Sequence, residues 1–184
     1  MPITQLDPHT ALIVVDLQKG IVTRACVHPM GEVVKNAATL AMAFRQRHLP
    51  VVLVNVTGVA PGRSDQGSGG AFPPDWAELI PELDQQPQDH CVTKRTWGAF
   101  TGTDLASYLK AAGVTQVVVC GVATSIGVES TARQAHELGF NVTLAVDAMT
   151  DMNADAHANS LARIFPRLGE TGATQEIITH LKVQ

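Results

Sequence analysis

The chain has 184 residues, 45% of them apolar and 16% charged, with a formal charge of −4 and a mean hydropathy of +0.10. That length suits one domain with a sizeable core, and so apolar a chain is not an intrinsically disordered one. No cluster of Lys and Arg offers the positive face a nucleic acid needs, and no apolar run reaches membrane-spanning length. Neither nucleic acid nor membrane is therefore expected as a partner.

The first residues, Met1 to Asp7, lack the basic region and apolar stretch of a secretion signal. Cys26, Cys91 and Cys120 form no CxxC pair, which argues against a disulfide framework or a cysteine zinc site. A reduced, cytoplasmic protein is the expectation. The apolar balance also suggests that part of the surface is covered in a homo-oligomer, a dimer or tetramer.

In chain order, Ala11-Leu-Ile-Val-Val-Asp16 predicts a strand ending on a carboxylate. From Val33 to His48 the apolar residues Val34, Ala37, Leu40, Ala41 and Phe44 recur at helical spacing without Gly or Pro. Pro50 to Val56 predicts a second strand. Residues 57–88 are rich in Gly, Pro and Ser, including Gly67-Ser-Gly-Gly70 and Pro73-Pro74, and read as a mobile loop of the long kind that often carries function. A third strand is predicted at Cys91 to Lys94. A helix then runs from Asp104 to Ala112, capped by Thr103 and stopped by Gly113. Gln116 to Cys120 is a continuous apolar strand, as expected when both faces are covered. Ser125 is placed to cap a helix ending near Leu138 and Gly139. A fifth strand at Phe140 to Val146, a helix from Ala154 to Phe165, a sixth strand at Arg167 to Thr171 and a helix from Thr174 to Leu181 follow.

This alternation predicts a single α/β domain over residues 1–184. Its three layers are helices on both faces of a six-stranded, mostly parallel sheet of Rossmann-like order. In such a sheet the ligand crevice lies at the carboxyl ends of the strands. Asp16, Lys94 and the stretch Gly121 to Gly127 all fall at such ends. On spacing alone, the acid and the ammonium read either as a tuned catalytic pair or as solvated charges.

Four segments carry a resemblance. They are Ala11-Leu-Ile-Val-Val-Asp-Leu-Gln18, then Lys94-Arg-Thr-Trp-Gly-Ala-Phe100 with Thr103-Asp-Leu105, then Val119-Cys-Gly-Val-Ala-Thr-Ser-Ile-Gly127 with Thr131-Ala-Arg133, and Val146-Asp-Ala148. In this order and at these separations the chain resembles the isochorismatase-like cysteine hydrolases. It differs in carrying Gly127 where most members carry the nucleophilic cysteine, like a subgroup of bacterial members. The resemblance implies an active centre of Asp16, Lys94 and the position of Gly127. It also implies a non-proline cis peptide at Val122–Ala123 and substrate contacts from Val122, Ala123, Thr124, Trp97, Phe100 and Arg63. The Ala123 and Gly127 N–H groups would then hold a carbonyl or carboxylate oxygen.

Glycine closes the covalent route at position 127. True isochorismatases also have glycine there, and the resemblance implies their chemistry: acid-catalysed hydrolysis of an enol ether with Asp16 as acid and Lys94 positioning the substrate. The segment after the second strand departs from theirs, lacking their glutamine and offering only Arg63 as a carboxylate partner. Two rivals remain open: a small-molecule binding protein that kept the pocket, and an amide hydrolase using a displaced cysteine such as Cys120. Metal-dependent nicotinamidases of the superfamily use an Asp-x-His pattern and a further histidine after the second strand. Between Val56 and Gln88 this chain has no histidine, and His28, His90, His136 and His157 lack ligand spacing, so no metal and no cofactor are expected. Those histidines read as structural or surface residues. Trp97 stands three residues past Lys94, placed either to wall a pocket or to pack. Glu129 and Arg133 are spaced as an i,i+4 pair or a subunit contact.

Overall fold

The computed structural model describes residues 1–65 and 72–182. Its six strands are β1 (Thr10–Val15), β2 (Val51–Val56), β3 (His90–Lys94), β4 (Gln116–Val122), β5 (Asn141–Thr150) and β6 (Glu170–Gly172). They form one sheet in the order β3-β2-β1-β4-β5-β6, and every neighbouring pair is parallel. This is the doubly wound order, in which the chain reverses direction across the sheet between β1 and β4 and opens a crevice there.

Burial explains the uninterrupted apolar runs. Along β1, Leu12 and Val14 enter the core beneath the long helix α2 (Met30–Gln46), which follows a single turn, α1 (Lys19–Val22). Ala11, Ile13 and Val15 enter a second core on the opposite face. That core is roofed by α3 (Leu105–Ala111) and α4 (Glu129–Glu137). Helix α5 (Ala154–Asn159) passes through a π-helical stretch, Ser160–Ile164, into α6 (Phe165–Leu168), and α7 (Thr174–Lys182) packs beside α2. Both cores need apolar side chains from the same strand, so alternation vanishes and a near-continuous Val/Ile/Leu run results.

The predicted elements are present, with shifts that have local causes. Thr103 does not cap α3; its hydroxyl donates to the Ala99 carbonyl at 2.6 Å, and Asp104 occupies the cap position without a side-chain bond. β5 runs four residues beyond Val146 because it bulges where it pairs with β4. The bulge carries Asp147 outward to accept the Thr174 N–H and hydroxyl at the start of α7. β6 begins at Glu170, since α6 continues to Leu168. Gly169 then passes so close to β5 that a Cβ there would lie 2.0 Å from the Val142 carbonyl oxygen.

The expectation of a mobile loop is corrected for residues 72–88; Gly67-Ser-Gly-Gly70 lies outside the described residues. Trp76 is buried against Gly20, where any Cβ would fall 1.9 Å from its ring, and Phe72 stacks on it at 4.0 Å. Ile80 and Leu83 join the α2 core. Arg45 grips Asp89 through two bonds of 3.1 and 2.6 Å and also reaches the Leu83 carbonyl. Composition missed these anchors because each is a single residue in a run of turn formers.

Gly121 holds the two central strands together at the crevice. Its φ is +116°, and a Cβ would sit 2.0 Å from the Val15 carbonyl oxygen. A Gly121→Ala variant is expected to lose at least about 3 kcal/mol, read as a lower urea midpoint in equilibrium unfolding.

Candidate active site

β1 ends at Val15, and Asp16 follows with φ +53°, a left-handed conformation that Asp adopts more readily than most residues. Its N–H donates to the Val54 carbonyl, while its own carbonyl accepts the Gln18 N–H. The chain therefore turns sharply at the strand end and leaves the carboxylate at the crevice. Lys94 ends β3, two strands away across β2, a span of about 9–10 Å. Only a long side chain can bridge it. The Lys94 ammonium donates to Asp16 Oδ2 at 2.7 Å, to the Trp97 carbonyl at 2.8 Å and to the Thr96 carbonyl at 3.3 Å. Both partners are buried, at 2% exposure for Lys94 and 5% for Asp16.

Three acceptors use all three ammonium protons, so Lys94 spends itself on Asp16 and on the 96–97 backbone. The other carboxylate oxygen, Asp16 Oδ1, is the one buried side-chain polar atom among the described residues with no hydrogen-bond partner. Leaving such an atom unsatisfied costs about 1–3 kcal/mol or more, and groups of this kind mark working sites. Burial pushes the Asp16 carboxyl up from 3.8 to about 6, with Lys94 pulling the other way.

The Gly127 position completes the group. β4 runs into a cis peptide at Val122–Ala123, then a π-helical turn, Thr124–Val128, that leads into α4. A Cβ at Gly127 would lie 3.1 Å from Asp16 Oδ2 and 3.0 Å from Val15 Cγ1. Asp16, Lys94 and Gly127 therefore meet, from three elements far apart in sequence.

The motif residues that flank them turn out to be the fastenings. Gln18 accepts the Val56 N–H and donates to the Val56 and Trp76 carbonyls, tying the exits of β1 and β2 to residues 72–80. Thr131 donates to the Gly127 carbonyl at 2.7 Å and accepts the Ala99 N–H at 3.1 Å, so the lysine segment and the glycine turn are held by one hydroxyl. Gln134 accepts the Phe100 N–H across Gly98, where a Cβ would collide with it at 2.1 Å.

The remaining predicted residues divide. Val122, Ala123 and Thr124 are buried in the turn beside Gly127. Trp97 offers its carbonyl to Lys94, but its indole is 61% exposed and does not enclose the pair. Phe100 packs into the lower core against Phe140, ring centroids 6.1 Å apart, at the amino end of β5 and away from Asp16. Arg63 is exposed on the segment after β2. Ser125 does not cap its own helix: its N–H and hydroxyl both donate to Asp151, at 2.7 and 2.8 Å. The capping carboxylate comes from the end of β5, and no local pattern announces it.

One other expectation gains a geometry. Glu129 accepts from Arg133 at 2.9 Å and from Ser160 at 2.6 Å, an intrachain anchor between α4 and the turn after α5. Among the described residues no three His, Cys, Asp or Glu side chains converge as metal ligands, and no helix is long and apolar enough to cross a membrane.

A model of the isochorismatase domain matches residues 10–176. The chain belongs to the isochorismatase family. Members of this family are hydrolases. The chain is 42% identical to the isochorismatase family protein YwoC of Bacillus subtilis over 94% of each chain. It is 41% identical to YecD of Escherichia coli O157:H7, over 94% of this chain and 96% of that one. An isochorismatase family protein of Burkholderia thailandensis superposes with a TM-score of 0.93 at 40% identity, over 97% of this chain and 98% of that one.

The buried pair has a pH-dependent cost. Because the folded-state carboxyl titrates near 6 rather than 3.8, the folded state loses stability as pH rises through that range. Replacing Lys94 by Met should push the Asp16 carboxyl above 6 and remove about 3–5 kcal/mol at pH 8, with a much smaller loss at pH 5, where Asp16 is protonated. Urea unfolding at both pH values, with carboxyl carbon NMR of Asp16, measures it.

Proposed function

We propose that this family member hydrolyses a small carboxylated enol ether without a protein nucleophile and without a metal, in the manner of the family members that carry glycine at the cysteine position. The observation that carries this reading is Asp16: buried, with Oδ1 unpartnered, Oδ2 held by Lys94, and a carboxyl pushed up to about 6. A carboxylic acid poised near neutral pH with one free oxygen is a general acid.

In the reaction, Asp16 Oδ1 delivers its proton to the terminal vinyl carbon, and the ether oxygen supports the resulting oxocarbenium ion. The carboxylate left behind is stabilised by the ammonium already bonded to its other oxygen. Water adds to the cation and returns a proton to Asp16. The hemiketal then collapses to pyruvate and an alcohol. Gly127 leaves open the space beside Asp16 that a side chain would fill. An adjoining carboxylate on the substrate would be taken by the Ala123 and Gly127 N–H groups, since the Ser125 and Ile126 N–H groups are already bonded within the protein, with the exposed Arg63 as its candidate cation.

The cysteines argue against the amide-hydrolase rival. Cys120 is fully buried, and burial with Asp147 nearby holds its thiol far above the usual range. Burial also raises Cys26 and Cys91. None is biased toward the thiolate that attack requires.

The test is pyruvate release from isochorismate by the wild type and Asp16→Asn in parallel. Asp16→Asn is expected to lose about 10²–10⁴-fold in kcat, the usual worth of a positioned acid. Because the acid must be protonated to act, kcat/KM of the wild type should fall about tenfold per pH unit above 6. A variant with all three cysteines replaced, Cys26→Ser, Cys91→Ser and Cys120→Ala, avoids crowding the buried Cys120 site and should leave activity intact. Ligand binding without turnover by the wild type would instead favour a binding protein that kept the pocket.

A further inference from the structure

A second polar cluster stands beside the glycine turn, and the chemistry above does not use it. Thr124, the first residue of the turn that carries Gly127, is fully buried. Its hydroxyl lies 2.9 Å from Nδ1 of His157, on α5. The His157 side chain is itself buried, at 7% exposure. His28, from the segment after α1, sets its ring edge-on against His157 with centroids 4.8 Å apart; its backbone N–H donates to the Thr150 hydroxyl at the end of β5, and its Nδ1 lies 3.4 Å from that hydroxyl.

Hydrogen-bond accounting assigns the direction of the Thr124 bond. A buried hydroxyl carries one proton that needs an acceptor, and His157 Nδ1 is the one that Thr124 has. Were Nδ1 protonated, it would donate to Oγ1 and leave the hydroxyl proton stranded inside the protein. We infer that His157 is a positioning residue for the Asp16 centre: held neutral with its proton on Nε2, it accepts the Thr124 hydroxyl, orients the turn that presents Gly127, and releases that turn when it becomes protonated.

The surroundings favour the neutral ring. Burial, then the neighbouring His28, pushes the His157 imidazole below its usual value, while Asp151 pulls it up. The Asp151 carboxylate is already engaged by Ser125 and by the Asn153 N–H. Glu129 on α4 is occupied by Ser160 and Arg133, and burial and then Asp151 raise the Cys26 thiol. Asp155, on α5 itself, remains at the surface. The acid at Asp16 must be protonated and the histidine must not be, so the two together give a bell-shaped pH profile whose acid limb belongs to His157. This deepens the enol-ether reading and rests on it for its kinetic consequence.

The first arm of the test needs no substrate. Imidazole ¹⁵N NMR of the full chain at pH 7, with His157 assigned by comparison with His157→Asn, is expected to show an unprotonated Nδ1 and a protonated Nε2. A protonated Nδ1 overturns the proposal, whatever the enzyme's substrate. The second arm uses the turnover assay. His157→Asn keeps an acceptor near the Nδ1 position but cannot titrate, and should retain kcat within about threefold at pH 7 while losing the acid limb. His157→Leu has no acceptor and should lose at least about tenfold in kcat with KM little changed. An acid limb that survives in His157→Asn overturns the kinetic role. Should His157→Asn not fold, the wild type decides: its acid limb must have the midpoint at which the His157 ¹⁵N signals titrate, and a mismatch overturns the proposal. Absence of turnover in the wild type would count against enol-ether hydrolysis alone, because the ¹⁵N result stands by itself.

Discussion

A carboxylate and an ammonium held 2.7 Å apart with almost no contact with water set the terms for the rest of this molecule. Removing two such charges from solvent costs several kcal/mol per ion, and their mutual attraction repays that only with further hydrogen bonds. Lys94 finds those bonds in the Thr96 and Trp97 carbonyls. Asp16 does not, and keeps one bare oxygen. The imbalance is where chemistry becomes possible, because the protein has satisfied the cation fully and the acid by half.

Much of the surrounding architecture serves to hold that imbalance in place. The pair joins β1 to β3 across an intervening strand, so it depends on the register of those three strands, while Gly121 lets β4 approach β1 on its other side. Thr131 ties the 94–100 segment to the glycine turn, and Gln18 ties the exits of β1 and β2 to the anchored residues 72–80. Asp151 caps the turn from the end of β5. Each is a buried, satisfied polar group that rigidifies one edge of the site, as preorganised chemistry requires. A groove of about 1020 Å³ lies elsewhere, between α2 and residues 80–88. It contains none of the groups that could transfer a proton at Asp16.

The family's motifs mix two kinds of residue that look alike in a sequence. Asp16 and Lys94 form the buried ion pair, whereas Gln18, Thr131 and Gly98 act on the backbone around it. Phe100 belongs to a motif and yet fills the core against Phe140. Trp97 belongs to the same motif and contributes a carbonyl while its ring meets solvent. A shared motif therefore marks a segment that must be placed, without saying which atom of it does the work.

By itself the sequence determined the alternation of strands and helices, the apolar runs that demand cover on both faces, the helix stops at Gly113 and Gly139, and the convergence of Asp16, Lys94 and residues 121–127 on one crevice. These follow from local periodicity, turn chemistry and the rule that parallel strands open their ligand site at the carboxyl ends. Tertiary structure alone decided which oxygen of Asp16 is free, that Lys94 has no donor to spare, that Asp151 rather than Ser125 supplies the cap, and that His157 reaches Thr124. Apart from the local Lys94 bonds to the Thr96 and Trp97 carbonyls, those facts depend on residues 26 to 78 positions apart in the chain. Separations of that size leave no periodic trace, because the contact is made by packing and register and not by neighbours in sequence.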